Sequence, residues 1–155
     1  MKSSADRKRV APLTAFWDTS AIVPLCCFQT QTARATRVAR LYARQVTWWA
    51  TSVEAIGSLN RLYREQALTA LGRQQALTRL DHLRRRWNEI QPTDEVRDRA
   101  ERLLGVHKLR AADAFQLAAA LAWCGQKAHG RHFIGANADL GNAAEAEGFT
   151  VIRLL

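Results

Sequence analysis

Short apolar runs alternate along the chain with longer stretches in which apolar residues return every three or four positions. Runs of four or five apolar or β-branched residues bounded by turn formers read as strands, and the 3.6-residue recurrence reads as amphipathic helix. A first strand is expected at 13–17. Asp18-Thr-Ser then opens a helix at 21–28 despite Pro24, and a second helix follows at 29–45. Its Val38, Leu41 and Tyr42 share one side, with Arg34, Arg37, Arg40 and Arg44 on another. VTWWA at 46–50 reads as a strand. A helix at 52–68 lines up Ile56, Leu59, Tyr63 and Ala67. From Gly72 to 89 the pattern repeats with Ala76, Leu80, Leu83 and Trp87, leaving Arg73, Arg84, Arg85 and Arg86 in solvent. A brief strand at 90–92 precedes a helix capped by Thr93 and stopped by Gly105, and the helix at 111–124 is stopped by Gly125. HFIG at 132–135 reads as a strand, 138–147 as a helix stopped by Gly148, and 150–154 as a last strand.

Strands separated by single helices pair in parallel through right-handed crossovers. The expected fold class is therefore α/β, a three-layer α/β/α sandwich with a mostly parallel central sheet. Residues 1–12, polar and basic and closed by Pro12, read as a flexible lead, and 13–155 as one domain.

Composition narrows the class. With 48% hydrophobic and 24% charged residues, disorder and fibrous repeats are excluded. No run of about 18 apolar residues and no apolar segment of signal-peptide length occurs, so the expectation is a cytoplasmic protein with no membrane contact. Cys26 and Cys27 are neighbours, and Cys124 sits alone in a helical pattern, which suits reduced, buried thiols rather than a disulfide framework or zinc knuckle. Twenty-three Lys and Arg against 14 Asp and Glu leave a charge of +9. Such a surplus, mostly arginine, favours a polyanionic partner, because neutralising phosphates releases condensed counterions. A solvated basic surface or an acidic protein partner would account for it too.

Against that basic background, three acids stand where a strand end or a helix start places them. Asp18 follows the first apolar run directly, Glu54 lies one turn into the helix after VTWWA, and Asp113 lies in the first turn of the 111–124 helix. Each has an ordinary structural role open to it. Asp18 suits an N-cap, Thr51-Ser-Val-Glu54 matches a capping box, and Asp113 suits the positive end of a helix dipole. Taken together they favour chemistry. Three carboxylates converging at the carboxyl edge of a parallel sheet would repel one another unless a hard divalent cation, magnesium or manganese, neutralised them. A bound ion lowers the pKa of its water and screens charge developing on an attacked phosphodiester, which describes a metal-dependent nuclease.

FWDTSAIVPL (16–25), TSVEAIGSLNRL (51–62), LRAADAFQLAAAL (109–121) and FIGANADLGNAAEAEGFTVI (133–152) together resemble the PIN-domain family, and more narrowly VapC-like toxins of bacterial type II toxin–antitoxin pairs. The resemblance runs over 13–155. It implies a parallel sheet flanked by helices, and a magnesium- or manganese-dependent endoribonuclease leaving a 3′-hydroxyl and a 5′-phosphate. It also implies inhibition by a cognate antitoxin and a homodimer. It places the family's three central carboxylates, catalytic and metal-binding, at Asp18, Glu54 and Asp113, with Thr19 or Ser20 supporting the metal shell. The fourth family acid is missing: the family reads Thr-x-Asp after its fourth strand, where this chain has Gly135 and Asn137. Asn137 brings no charge, and Asp139 is a substitute ligand or a solvent-facing residue. The expectation is a single tightly held ion, or a second one recruited only with substrate. The alternative is a catalytically weakened or inactive module that binds RNA or the antitoxin.

Lys108 and Arg110, five and three residues before Asp113, are placed to hold RNA phosphates at the lip of the site. The arginine rows at 34–44 and 73–86 suit an RNA backbone or an acidic antitoxin segment equally. His129 and His132 lack the further ligands of a zinc site. Trp48, Trp49, Trp87 and Trp123 read as core or interface anchors, able to stack on bases only where exposed. A phosphatase using Asp18 as nucleophile would want a second aspartate where Ser20 stands.

Overall fold

Side chains along a strand point alternately to the two faces of a sheet, and that alternation sorts the apolar residues into two cores. The computed structural model describes residues 11–155. The expected flexible lead thus falls almost entirely outside the described residues. In chain order the elements are β1 (Thr14–Trp17), α1 (Thr19–Cys26), α2 (Thr32–Leu41), β2 (Arg44–Trp48), α3 (Thr51–Arg64), α4 (Ala70–Arg84) and β3 (Asn88–Ile90). They continue with α5 (Asp94–Val106), α6 (Ala111–Trp123), β4 (His132–Gly135), α7 (Ala138–Ala146) and β5 (Thr150–Arg153). The five strands form one sheet in the order β3-β2-β1-β4-β5 with every pairing parallel, as the strand–helix alternation requires.

Phe16, Val46, Trp48 and Phe133 project from one face onto α5, α6 and α7. Ala15, Trp17 and Ile134 project from the other onto α1, α3 and α4. Helices therefore cover both faces, the three-layer class expected from the pattern. Phe16, Trp17 and Phe133 are completely buried, and each such side chain contributes up to about 3 kcal/mol of transfer free energy. Helix α6 is alanine-rich, with Ala118, Ala119 and Ala120 fully buried. Small side chains let it lie close against both α5 and β2.

Element boundaries differ from the sequence pattern where tertiary pairing overrides local preference. The second helix ends at Leu41 rather than 45, because Arg44 and Gln45 pair in register with Thr14 and Ala15 of β1. Helix α4 starts two residues before Gly72, whose N–H is capped by the Thr69 hydroxyl at 2.9 Å. Gly105 lies inside α5, which runs on to Val106, whereas Gly125 and Gly148 stop their helices with positive φ of 58° and 107°. Among the described residues, no helix is long and apolar enough to cross a membrane.

Candidate functional site

The middle strands β1 and β4 mark the switch point of the sheet: the chain leads from β1 towards β2 and β3, and from β4 towards β5. In open parallel sheets the crevice beyond the carboxyl ends of such a pair receives ligands. Asp18 is the first residue past β1, and its N–H donates to the Ile134 carbonyl of β4 at 3.0 Å. Its carboxylate caps α1, accepting the Ser20 N–H, and also accepts the Ser20 hydroxyl at 2.9 Å. The same Ser20 oxygen accepts the Ala136 N–H at 2.7 Å, binding the exits of β1 and β4 into one unit. Gly135 sits beside this carboxylate, and a Cβ built there would run into it.

Glu54 stands in the first turn of α3 and is partly buried. The capping box does not form. Ala50 is the N-cap and makes no side-chain bond, and both box side chains turn towards α6 instead. One Glu54 oxygen accepts the Thr19 hydroxyl at 2.8 Å and lies 3.1 Å from the amide nitrogen of Gln116. That nitrogen also lies 2.9 Å from the Thr19 hydroxyl and 3.1 Å from the Thr51 hydroxyl. Asp113 stands in the first turn of α6, with the Asn137 side-chain amide 3.5 Å from its Oδ2. The Asn137 oxygen accepts the Leu140 N–H at 3.0 Å and caps α7. Its one oxygen is thus committed to the helix, and the side that faces Asp113 is a donor.

All three acids are held more basic than usual. Asp18 is pushed up to about 7, chiefly by burial, with the charges of Asp113 and Glu54 adding and the Ser20 hydrogen bonds opposing. Burial likewise raises Glu54 against its Thr19 and Gln116 hydrogen bonds, with Asp113 adding. Burial raises Asp113 as well, with Asp139 adding while the Arg110 charge and Asn137 oppose. Among the described residues, no Lys, Arg or His forms an ion pair with any of the three.

Asp18, Glu54 and Asp113 line one cavity of about 990 Å³ together with Thr19, Ser20, Asn137 and Asp139. Lys108, Arg110 and Arg61 stand on its walls. Among the described residues, no three acid, histidine or cysteine groups stand close enough, as they lie, to hold a metal ion together. The donor set nevertheless fits a hard divalent cation. Unpaired, mutually repelling carboxylates in a polar cavity suit oxygen-seeking ions, and magnesium typically takes only one or two protein carboxylates directly.

Sequence reasoning missed Gln116 and Arg61. Gln116 is the single polar residue in 114–122 and lies three positions after Asp113, on the same helical face. Arg61 shares the face of Glu54 at i+7, with Ser58 between them on the cavity wall. The arginine rows do not line the cavity. Arg34, Arg37, Arg40 and Arg44 are exposed, Arg73 lies over the Tyr63 ring at 4.2 Å, and Arg84 and Arg85 pair with Glu89 and Asp81. His132 packs against Tyr42 and His129 is exposed. The three cysteines are free and buried. Trp48 is core, whereas Trp49 is 51% exposed.

The PIN domain family model matches residues 15–145. Solved structures share the fold over most of the chain. A toxin–antitoxin complex from Klebsiella pneumoniae is 19% identical with a TM-score of 0.59, over 92% of this chain and 98% of that one. The Mycobacterium tuberculosis protein VapC20, described as a Sarcin-Ricin loop cleaving toxin, is 19% identical with a TM-score of 0.65, over 90% and 99%. PAE2754 from Pyrobaculum aerophilum is 18% identical with a TM-score of 0.58, over 92% and 90%. Among curated proteins, no sequence matches the chain.

Proposed function

The chain belongs to the PIN domain family, and from that premise we propose that it is a metal-dependent endoribonuclease, the toxin of a toxin–antitoxin pair. The observation that carries this reading is the sharing of one cavity by three unpaired carboxylates from the β1–α1 junction, α3 and α6, with Arg61, Lys108 and Arg110 on its walls. Structural relatives described as a toxin–antitoxin complex and a Sarcin-Ricin loop cleaving toxin support RNA as substrate and an antitoxin protein as partner.

Asp18, Glu54 and Asp113 are the residues that would hold magnesium or manganese. When bound, such an ion supplies Lewis acidity and a water of lowered pKa at the phosphodiester. Ser20 aims the Asp18 carboxylate, and the Thr19–Gln116 pair aims Glu54. Arg61, Lys108 and Arg110 hold the flanking phosphates of the strand. A water oxygen attacks phosphorus, the bond to the 3′ oxygen breaks, and that oxygen leaves with a proton as a 3′-hydroxyl. Asp139, exposed at the rim of the cavity, would serve as an auxiliary acid for the missing fourth carboxylate. The protein acts in the cytoplasm as a homodimer, and the exposed Val53 and Ile56 of α3 are the apolar positions for that contact.

Asp18→Asn and Asp113→Asn each abolish magnesium-dependent cleavage of single-stranded RNA while circular dichroism shows an intact fold. Wild-type cleavage by either variant sinks the assignment. The neutral, cap-committed Asn137 favours a second reading, a module that binds RNA or the antitoxin without cutting. Under that reading RNA binding survives chelation and no condition yields cleavage.

A further inference from the structure

A second cavity, of about 710 Å³, opens beside the carboxylate cavity and shares Glu54 and Ala112 with it. Its inner wall is aromatic and rigid: the Trp48 ring stacks on Phe115 with centroids 5.6 Å apart and planes 4° from parallel. Trp49 forms the outer wall, edge-on to Trp48 at 6.5 Å and 69°. Its backbone is pinned by an N–H bond to the Ile90 carbonyl at 3.0 Å, yet half of its surface faces solvent. Half-exposing an indole on a fixed backbone forfeits apolar burial that Phe16, Trp17, Trp48 and Phe133 obtain in the two cores. At the rim, Asp94 and Arg97 on the first turn of α5 lie 3.1 Å apart and largely in water, an acceptor beside a donor.

We propose that this cavity is a nucleobase subsite, in which a base next to the scissile phosphate stacks on Trp49 with its polar edge towards Asp94 and Arg97. The proposal rests on the nuclease reading and extends it. Three features favour a base over an apolar anchor of a protein partner. The two cavities adjoin, with Glu54 and Ala112 lining both, so a strand held in the carboxylate cavity can pass a base into its neighbour. The free aromatic surface is planar and sequence-tolerant stacking on such a surface is how single strands are commonly gripped. The rim carries a donor and an acceptor, the solvent-facing Arg97–Asp94 pair, whose polar atoms a base edge can meet.

The test measures binding without chemistry. A 5′-fluorescein-labelled single-stranded oligoribonucleotide is titrated with the whole protein in EDTA and followed by fluorescence anisotropy. Parallel titrations use Trp49→Ala, Trp49→Phe and oligonucleotides carrying one abasic position. Trp49→Ala is expected to weaken binding roughly tenfold or more, and Trp49→Phe to retain most of the affinity. For the parent protein one abasic position is expected to cost a similar factor, and for Trp49→Ala that extra loss vanishes. Equal binding of intact and abasic strands by parent and both variants overturns the proposal. The nuclease reading is judged separately, by loss of cleavage in Asp18→Asn, and survives that result. Should Trp49→Ala fail to fold, the Phe variant and the abasic series carry the comparison alone. A change in self-association of Trp49→Ala by sedimentation, with oligonucleotide binding unchanged, assigns the wall to a protein contact and likewise overturns it.

Discussion

Gly135 is where backbone space decides side-chain chemistry. A methyl group at this position occupies the place of the Asp18 carboxylate, which is already tied twice to Ser20. Gly135→Ala is therefore expected to leave the two cores intact while cutting the cleavage rate by about 100-fold, the scale of loss for a reacting group displaced by about an ångström. Thermal melting together with a cleavage assay checks both halves. Asp18 itself carries a pH signature. Its folded value of about 7 lies above the ordinary 3.8, so between these limits the native state holds a proton that the unfolded chain has released. Its stabilising contribution is full below 3.8 and is lost as pH rises through about 7, with a slope of up to about 1.4 kcal/mol per pH unit. Urea titrations of the metal-free protein at a series of pH values should show this decline relative to Asp18→Asn, which should be the more stable of the two at neutral pH. Equal pH dependence in both proteins would exclude it. The acids could be read from the sequence because each directly follows an apolar run or opens a helix. Gln116 could not, since its three partners, Thr19, Thr51 and Glu54, come from helices 62 to 97 residues away.

At the scale of elements, α6 shows what local pattern does and does not convey. Its alanine-rich run is apolar on all sides, which fits a helix sandwiched between α5 and the sheet. Ala119 is fully buried there, and Ala119→Leu should cost about 1–3 kcal/mol through overpacking, measured as a lower denaturation midpoint with an unchanged slope. The same run anchors Asp113 at one end and Gln116 a turn later, so an altered seat for this helix moves a cavity acid and the amide that holds Glu54 together. Strand–helix alternation was legible almost throughout because buried strands and amphipathic helices have different periods. Boundaries were less so. Arg44 and Gln45 extend the periodicity of α2 yet pair with β1, and Thr51 and Glu54 match a capping box yet turn their side chains to α6. In both places partners distant in sequence outweigh local preference.

For the whole molecule, the chain carries a charge of +9 while the floor of its cavity is acidic. A polyanion is drawn to the surface, whereas a cation is drawn to the floor. With Asn137 neutral and its oxygen engaged by α7, calorimetric titration of the free protein with magnesium or manganese should report one strong site. Two sites of comparable affinity would refute the role given to Asn137, and Asn137→Asp should create or strengthen the second. The bond from the Ala136 N–H to Ser20 spans 116 residues. A polypeptide emerging from the ribosome therefore carries Asp18 and Ser20 long before the backbone that anchors Ser20 exists. A chain interrupted before β4 lacks this anchor, and with it one wall of the cavity.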